Sequence, residues 1–266
     1  MNTFKNKDGL TEAEFLAAYQ PKNYPRPSVT ADIVLFAPND KFDKLKILLI
    51  RRGNHPYIFC RALPGGFVGI NESCEAAARR ELKEETGIDN IYIEQLCTAS
   101  EPKRDPRMRV ISVVYLALTD AVNIKPTVGD DAAAADWFEI DAADYGKVQL
   151  TNDNEIIIYK YMDYLVNNGK LPHKITQIIK EDNGLAFDHA QLITCALQHL
   201  KWTVHYRPEL LLELMPKQFS LSDMQKMYNT LTYRNIELSQ IKQLMQGYIK
   251  NISGNIYTYK GVDRDE

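Results

Sequence analysis

The segment that most constrains this chain runs from Gly65 to Ile88 and reads GGFVGINESCEAAARRELKEETGI. Its central part, CEAAARRELKEET, consists mostly of residues with high helix propensity. Ser73 precedes this part as a candidate N-cap, and Gly87 follows it as a candidate C-terminal stop. The sequence therefore predicts a helix with defined ends at this place in the chain.

Three glutamates share one side of this predicted helix. At about 100° per residue, Glu84 and Glu85 lie roughly 60° and 40° to either side of Glu81. Like charges at this density repel one another, and hard divalent ions such as Mg²⁺ or Mn²⁺ favour carboxylate oxygens and bind jointly to substrate phosphates. The alternative is a solvated helix face whose charges only form pairs between residues four apart.

The spacing around these glutamates decides between the two alternatives. It follows the pattern G, five residues, E, seven residues, R-E-aliphatic-x-E-E-x-G-aliphatic. The nine positions are filled by Gly66, Glu72, Arg80, Glu81, Leu82, Glu84, Glu85, Gly87 and Ile88. With every position filled, the segment closely resembles the signature of the Nudix family.

This resemblance implies an α/β fold, an α/β/α sandwich with a mixed sheet. It also implies hydrolysis of a nucleoside diphosphate linked to another moiety, with Mg²⁺ or Mn²⁺ as cofactor. The positions that match metal ligands of the family are Gly66, through its carbonyl, and Glu81, Glu84 and Glu85. Glu72 and Arg80 complete the catalytic set: Glu72 assists, and Arg80 orients the glutamates by ion pairing. Which glutamate acts as the base stays open.

β-rich runs surround the helix. The apolar residues of EIIIYKYMDYLVNNGK and ITQIIKEDNG fit both the strand and the helix period over short spans, so these two segments stay ambiguous. The predicted strands are SVTADIVLFAP (Ser28–Pro38), KLKILLIRR (Lys44–Arg52), IYIEQLCTAS, RVISVVYLAL (Arg109–Leu118) and ADWFEI (Ala135–Ile140). The first two of these runs are separated by the turn-like NDKFD and predict a hairpin.

Outside the signature, a cluster of basic residues precedes one predicted strand in EPKRDPRMRVISVVYLAL. Guanidinium groups bind phosphate in a bidentate manner and stack on adenine, so Arg104, Arg107 and Arg109 are candidate substrate-binding residues. The alternative is a charged turn before a strand. The run RDPRxRVxSVxY also resembles Nudix proteins that use ADP-ribose, including a group of regulators and some fused NAD-biosynthetic enzymes. The expected nucleotide ligand is therefore ADP-ribose or a similar compound.

A second stretch, RRGNHPYIFCRALPGGFV, is similar to NHPF...WALPGGF of the same group. Arg61 stands where an aromatic residue is usual, and we include it among the candidate substrate-binding residues. We expect His55 to be structural rather than catalytic. Asp130 and Asp131 either supply an additional carboxylate near the metal ions or belong to a polar loop, and the polar loop is the favoured interpretation.

The C-terminal part has a helical pattern followed by a hairpin. FSLSDMQKMYNTLTY (Phe219–Tyr233) and RNIELSQIKQLMQGYI predict two short helices, and KNISGNIYTYKG predicts a hairpin around Ser253 and Gly254. Together with LAFDHAQLI, this order resembles the winged-helix half of Nudix-related transcriptional regulators. We therefore divide the chain into a Nudix domain at residues 1–195 and a winged-helix-like domain at residues 196–266.

Charge favours an enzyme over a regulator. The second helix of those regulators is usually rich in arginine, whereas residues 186–266 hold nine Lys or Arg against eight Asp or Glu. DNA-binding domains gain much of their affinity by neutralising phosphates. We therefore expect a pyrophosphohydrolase, with an ADP-ribose-sensing regulator that binds DNA as the alternative. A C-terminal domain that serves only dimerisation is also compatible with the apolar helices.

Composition limits the remaining partners. The net charge of −3 provides no general attraction to nucleic acid or to an anionic membrane, and there is no apolar run of 18 residues. The four cysteines include no CxxC pair, which argues against a zinc site or a disulfide framework. We expect a cytoplasmic homodimer without membrane partners.

Overall fold

The computed structural model describes residues 4–120, 132–167, 169–170, 173–181 and 184–260. Asp130 and Asp131 lie outside the described residues. The helices are α1 (Glu12–Ala18), α2 (Cys74–Thr86), α3 (His189–Thr203), α4 (Leu221–Thr232) and α5 (Leu238–Met245), with a 3₁₀ helix at Pro208–Leu214 between α3 and α4. The strands are β1 (Ser28–Pro38), β2 (Leu45–Arg52), β3 (Arg61–Ala62), β4 (Gly65–Phe67), β5 (Tyr92–Ala99), β6 (Val110–Leu118), β7 (Ala132–Asp141), β8 (Lys147–Thr151), β9 (Ile156–Val166), β10 (His173–Glu181), β11 (Phe219–Ser220), β12 (Ile249–Ser253) and β13 (Ile256–Tyr259).

The large sheet is mixed. Its described strands follow the order β10-β9-β8-β7-β2-β1-β6-β5, with β3 beside β2 and β4 beside β1. β1 and β6 pair in parallel, and the other pairs are antiparallel. The α/β fold with a mixed sheet that the sequence predicted is confirmed, as is the hairpin of β1 and β2.

The burial of β1 on both of its faces explains why its sequence is almost continuously apolar. Val34 and Phe36 belong to the core on one face of the sheet, whereas Ile33 and Leu35 belong to the core on the other face, and all four are fully buried. A strand covered on both faces carries apolar residues at successive positions rather than at alternate ones. The sheet is therefore the middle layer of the molecule.

Helix α2 covers one face of the sheet. The Ser73 side chain accepts a hydrogen bond from Ala76 N, and Gly87 ends the helix in the left-handed region at φ 72°. Ala77, Ala78 and Leu82 are buried against the sheet. The predicted helix and both of its end signals are confirmed, and the charged residues of α2 remain on the face that looks away from this core.

The other face of the sheet is covered by α3 and the elements after it. Ile193, Ala196 and Leu200 of α3 share one continuous core with strand residues and with Ile241 of α5. The division between residues 195 and 196 falls within α3, and it stays a prediction. None of the helices in the described part of the chain is both long and apolar enough to cross a membrane.

The two ambiguous segments form a strand pair. EIIIYKYMDYLVNNGK contains β9 and ITQIIKEDNG contains β10, which pair in an antiparallel manner at the edge of the sheet. The C-terminal prediction is confirmed in its order: α4 and α5 precede the hairpin of β12 and β13, and β11 adds to β13 to give a three-stranded sheet. Tertiary pairing, and not local periodicity, decided the type of β9 and β10.

Candidate active site

Arg80 of α2 is the centre of a network of carboxylates. Its Nη1 donates to Glu81 Oε1 at 2.8 Å and to Glu84 Oε2 at 2.9 Å. Its Nη2 and Nε donate to the two oxygens of Glu72 at 2.7 and 3.1 Å, and Nη2 also contacts Phe67 O at 3.2 Å. These contacts raise the pKa of the Arg80 guanidinium above its usual value. The structure thus brings together four of the five residues of the predicted catalytic set.

The fifth residue, Glu85, lies on the same helix and contacts the strand beside it. Its Oε2 accepts a hydrogen bond from Gly65 N at 2.8 Å. The neighbouring Gly66 leaves room for a carboxylate, because a Cβ at this position would lie 2.3 Å from Glu81 Oε1. Gly66 is therefore required for the close approach of β4 to α2, which explains the glycine at the start of the pattern.

The environments of the carboxylates differ. Glu81 is 15% exposed and Glu84 is 59% exposed. Burial raises the pKa of Glu81, and although the Arg80 contacts oppose this effect, the repulsion from Glu84 and Glu72 adds to it. The pKa of Glu72 is lowered by the hydrogen bonds from Arg80 and from Gly69 N. The helix thus holds one carboxylate that is harder to ionise beside others that face solvent or a cation.

The donor set fits a hard divalent cation in its chemistry. It consists of carboxylate oxygens and a backbone carbonyl, which are the ligands that Mg²⁺ and Mn²⁺ take. Within the described parts of the chain, no three His, Cys, Asp or Glu side chains are grouped closely enough to hold a metal ion. In this structure the guanidinium of Arg80 lies between Glu81 and Glu84. It occupies the position where their charges need a counterion.

Beside these carboxylates lies a cleft of about 500 Å³. Arg104 lines it and is almost fully buried, donating to both oxygens of Asp188 at 2.8 and 2.7 Å. Asp32 lies 3.4 Å from Arg104 and accepts a hydrogen bond from Ser112 Oγ. Burial opposes the charge of Arg104, but the two aspartates raise its pKa above the usual value. One of the predicted substrate-binding arginines therefore lines the cleft in a fixed position.

An aromatic ring and two more arginines form the next part of the cleft. The guanidinium carbons of Arg52 and Arg107 lie 4.9 and 5.8 Å from the ring centroid of Phe187. Arg107 also forms an ion pair of 2.8 Å with Asp105. Burial, and then repulsion by Arg107, lowers the pKa of Arg52. Cationic and aromatic groups thus face the same space, which suits a ligand with phosphates and a base.

Two predicted substrate-binding residues do not line the cleft. Arg61 is 5% exposed and binds Asp136 at 2.7 Å and Glu155 through Nε at 2.7 Å. Arg109 donates to backbone carbonyls, including Ser100 O at 2.8 Å. Both side chains contact the protein outside the cleft, unlike Arg104 and Arg107, which line it. His55 lines the cleft at its rim.

The sequence interpretation missed the segment at the start of α3. Asp188 binds Arg104, and His189 Nδ1 accepts a hydrogen bond from Leu63 N at 2.9 Å. Burial lowers the pKa of His189, so this residue is a neutral acceptor. The signal available in the sequence is the FDH of LAFDHAQLI, a segment that the sequence analysis relates only to the regulator-like architecture. Its contacts with Arg104 span 84 residues and are not readable from local spacing.

Comparison with known proteins identifies similar chains. The family model described as the NUDIX domain matches residues 26–161. The ADPR responsive transcriptional repressor NtrR of Acinetobacter baylyi is 32% identical over 237 residues, which cover 88% of this chain and 78% of that protein. The ADP-ribose pyrophosphatase of Methanocaldococcus jannaschii is 40% identical over 139 residues, which cover 52% of this chain and 75% of that protein.

A solved structure extends the similarity to almost the whole chain. The MutT/nudix family protein from Enterococcus faecalis superposes with a TM-score of 0.78 at 32% sequence identity. The match covers 94% of each chain. The C-terminal elements therefore belong to an architecture that other proteins share.

Proposed function

The chain belongs to the NUDIX domain family, and on that premise we propose that it is a metal-dependent pyrophosphohydrolase of nucleoside diphosphate derivatives, with ADP-ribose as substrate. One observation carries the proposal. Glu81 and Glu85 line one side of the same cleft that Arg52, Arg104 and Arg107 line on another. A carboxylate set beside a group of guanidinium groups suits a pyrophosphate, whose oxygens need both metal ions and hydrogen-bond donors.

The glutamates of α2 and the Gly66 carbonyl are the proposed metal ligands. Nudix hydrolases generally use divalent ions, and we propose Mg²⁺ or Mn²⁺ here. A bound divalent ion neutralises phosphate charge and lowers the pKa of water. Arg80 holds Glu72, Glu81 and Glu84 in their relative positions. A carboxylate of this set accepts the proton of the attacking water, and the choice among the glutamates stays open.

The arginine side of the cleft provides the proposed substrate contacts. Arg104 and Arg107 present guanidinium groups whose positions are fixed by Asp188 and Asp105. Pre-positioned donors lose little conformational entropy on binding, so they orient a pyrophosphate at low cost. The ring of Phe187 provides an apolar surface for a base. Support for ADP-ribose also comes from the similarity to the Methanocaldococcus jannaschii ADP-ribose pyrophosphatase.

An assay of ADP-ribose hydrolysis by the purified protein tests the proposal. Separation of products by anion-exchange chromatography should detect AMP and ribose 5-phosphate in equal amounts when Mg²⁺ or Mn²⁺ is present. Other nucleoside diphosphate derivatives serve as comparison substrates. Turnover that persists in excess chelator, or the absence of turnover on every substrate with either ion, contradicts the proposal.

A second candidate function is regulation of transcription by ADP-ribose. It is favoured by the similarity to the Acinetobacter baylyi repressor, which covers 88% of this chain, and by α3, whose first residue, His189, lines the cleft. In this reading the C-terminal elements are a winged helix that binds DNA. The near balance of charge in residues 186–266 argues for weak binding to generic DNA.

Fluorescence anisotropy with the DNA upstream of the coding sequence separates the two candidates. The enzyme proposal expects affinity no tighter than about micromolar at physiological salt, the range of non-specific binding. A regulator binds its site about a thousandfold more tightly, and ADP-ribose weakens that binding. Nanomolar binding that responds to ADP-ribose would make regulation of transcription, and not hydrolysis, the favoured function. Dimerisation, the division into two domains and a cytoplasmic location stay predictions.

A further inference from the structure

A second cavity lies between the sheet and the helices that follow it. Its volume is about 400 Å³, within the size range of small-molecule sites. It shares no lining residue with the cleft beside α2. Its apolar floor is formed by Leu45, Ile140, Val148, Leu200 and Leu231, which are all buried.

Aromatic side chains stand around this floor. Tyr145, Tyr161, Trp202 and Tyr233 all line the cavity. The rings of Tyr145 and Tyr161 are in edge contact, with centroids 5.8 Å apart. Tyr145 is 75% exposed and Trp202 is 62% exposed, although both are large enough to stabilise a core if buried. Exposed aromatic groups that converge on one concave surface mark a binding site more often than scattered ones do.

Tyr233 on the cavity wall has an uncommon backbone conformation. It follows α4 in the left-handed region at φ 54°, where glycine or asparagine is the common residue. Backbone outliers of this kind cluster at functional sites. The ammonium of Lys201 lies 4.6 Å from its ring centroid. Burial, together with the nearby Asp141 and Tyr161, raises the pKa of the Tyr233 phenol to about 12.

Carboxylates outnumber ammonium groups on the cavity wall. Asp43, Asp141 and Asp163 line it together with Lys44 and Lys201. Asp163 accepts hydrogen bonds from Tyr145 Oη at 2.8 Å and from Thr176 Oγ1. Asp141 accepts one from Ala143 N, and no lysine or arginine in the described part of the chain lies within ion-pair distance of its carboxylate. Among the described residues, Asp141 therefore carries negative charge that no basic side chain at ion-pair distance compensates.

We propose that this cavity is a second ligand site, which binds a small organic cation with an aromatic or apolar body. The faces of aromatic rings attract cations, and Tyr145 and Trp202 present exposed rings at this cavity, whereas the ring of Tyr233 is in contact with the ammonium of Lys201. The apolar floor covers the body of the ligand, and Asp141 supplies the counter-charge. An anionic nucleotide is disfavoured by the three carboxylates, in contrast to the arginine-lined cleft. The proposal does not depend on hydrolytic activity.

The two tryptophans of the chain make a direct test possible. Trp137 lies on β7 outside this cavity, so W137F leaves Trp202 of the cavity wall as the only tryptophan. The probe is benzyltrimethylammonium, with benzyl alcohol as the neutral control and benzenesulfonate as the anionic control. We expect a saturable change of Trp202 fluorescence with the cation, at an affinity about tenfold tighter than with either control.

Variants in the W137F background locate the binding. D141N should weaken binding of the cation about tenfold, since it removes the counter-charge and keeps the size of the side chain. Y145L should weaken it about threefold by removing one exposed ring. D153N is the matched control, because Asp153 is an exposed carboxylate that does not line the cavity. Circular dichroism establishes that each variant is folded.

Calorimetric titration of the unmodified full chain is the second measurement, and it applies even if W137F does not fold. The proposal is supported if the heat of binding of the cation saturates in the unmodified chain, is reduced in D141N and is unchanged in D153N. Equal affinity for benzenesulfonate, equal effects of D141N and D153N, or the absence of saturable binding at millimolar probe would overturn it.

Discussion

The two faces of the large sheet are built on different principles. On the face of α2, charged side chains of the helix and of the loop before it are held by one another: Arg80 contacts Glu72, Glu81 and Glu84. On the face of α3, apolar side chains from the strands, α3, the 3₁₀ helix, α4 and α5 form one continuous core. Its cavity has aromatic walls in place of guanidinium groups.

This difference separates the residues that we propose to act in hydrolysis from the residues that stabilise the fold. The charged groups of α2 project away from a small core in which Ala77, Ala78 and Leu82 meet the sheet. Changes among these charges should alter the reaction more than the fold, because surface ion pairs contribute little to stability. Changes in the core on the other face should do the opposite. Five substitutions test this contrast, in the order of their expected effect on the rate of hydrolysis.

The largest effect is expected for E84Q and E85Q. Each change removes a charged candidate ligand but keeps the size of the side chain, so the rate should fall at least about a hundredfold. The matched control is E75Q on the same helix, where Glu75 forms an exposed pair with Arg79 at 2.9 Å. Rates are measured with ADP-ribose at saturating metal ion. A near-normal rate for E84Q and E85Q would show that the ligand set is wrong.

G66A should have the next largest effect. A Cβ at Gly66 would lie 2.3 Å from Glu81 Oε1, so the carboxylate must move. Displacement of a catalytic group by about 1 Å costs up to about a hundredfold in rate. G247A is the control in the C-terminal region, because a Cβ at Gly247 meets nothing within 4 Å. Equal rates for the two variants would mean that the close approach of β4 to α2 has no role in the reaction.

D188N should have a moderate effect that appears in KM. The variant loses the charged partner that holds Arg104 in two hydrogen bonds, and the guanidinium loses its fixed position. The KM for ADP-ribose should rise about tenfold, and kcat should change less. Steady-state kinetics measures both. D89N breaks an exposed pair with Lys83 and is the control; a similar rise of KM in D89N would remove the special role of Asp188.

I241A should leave the rate unchanged and lower the stability. Ile241 is fully buried in the core of the α3 face and does not line the cleft. Loss of its side chain should reduce the free energy of unfolding by about 2–5 kcal/mol. Urea denaturation followed by tryptophan fluorescence and by circular dichroism measures it. Because this core joins the sheet to α5, both probes should report one transition; two separate transitions would contradict the shared core.

Much of the fold was readable because its causes are local. The bounds of β1 agree with the predicted run, since an apolar strand between turn residues has few alternatives. The helix at α2 was predicted with both ends, because Ser73 and Gly87 satisfy its terminal backbone groups. The type of β9 and β10 was not predicted. Short apolar runs fit two periods, and only their pairing at the sheet edge decides between them.

The candidate site divides in the same way. The sequence by itself identified the glutamates of α2, Arg80 and Gly66 as candidate site residues. It could do so because one helix and one adjacent strand place them within a short stretch of chain. Only the tertiary structure decided that Arg104 meets Asp188 at the cleft, whereas Arg61 is buried against Asp136 and Glu155. Such pairs join residues far apart in the sequence. Their formation depends on how the strands and α3 pack, which no local spacing specifies.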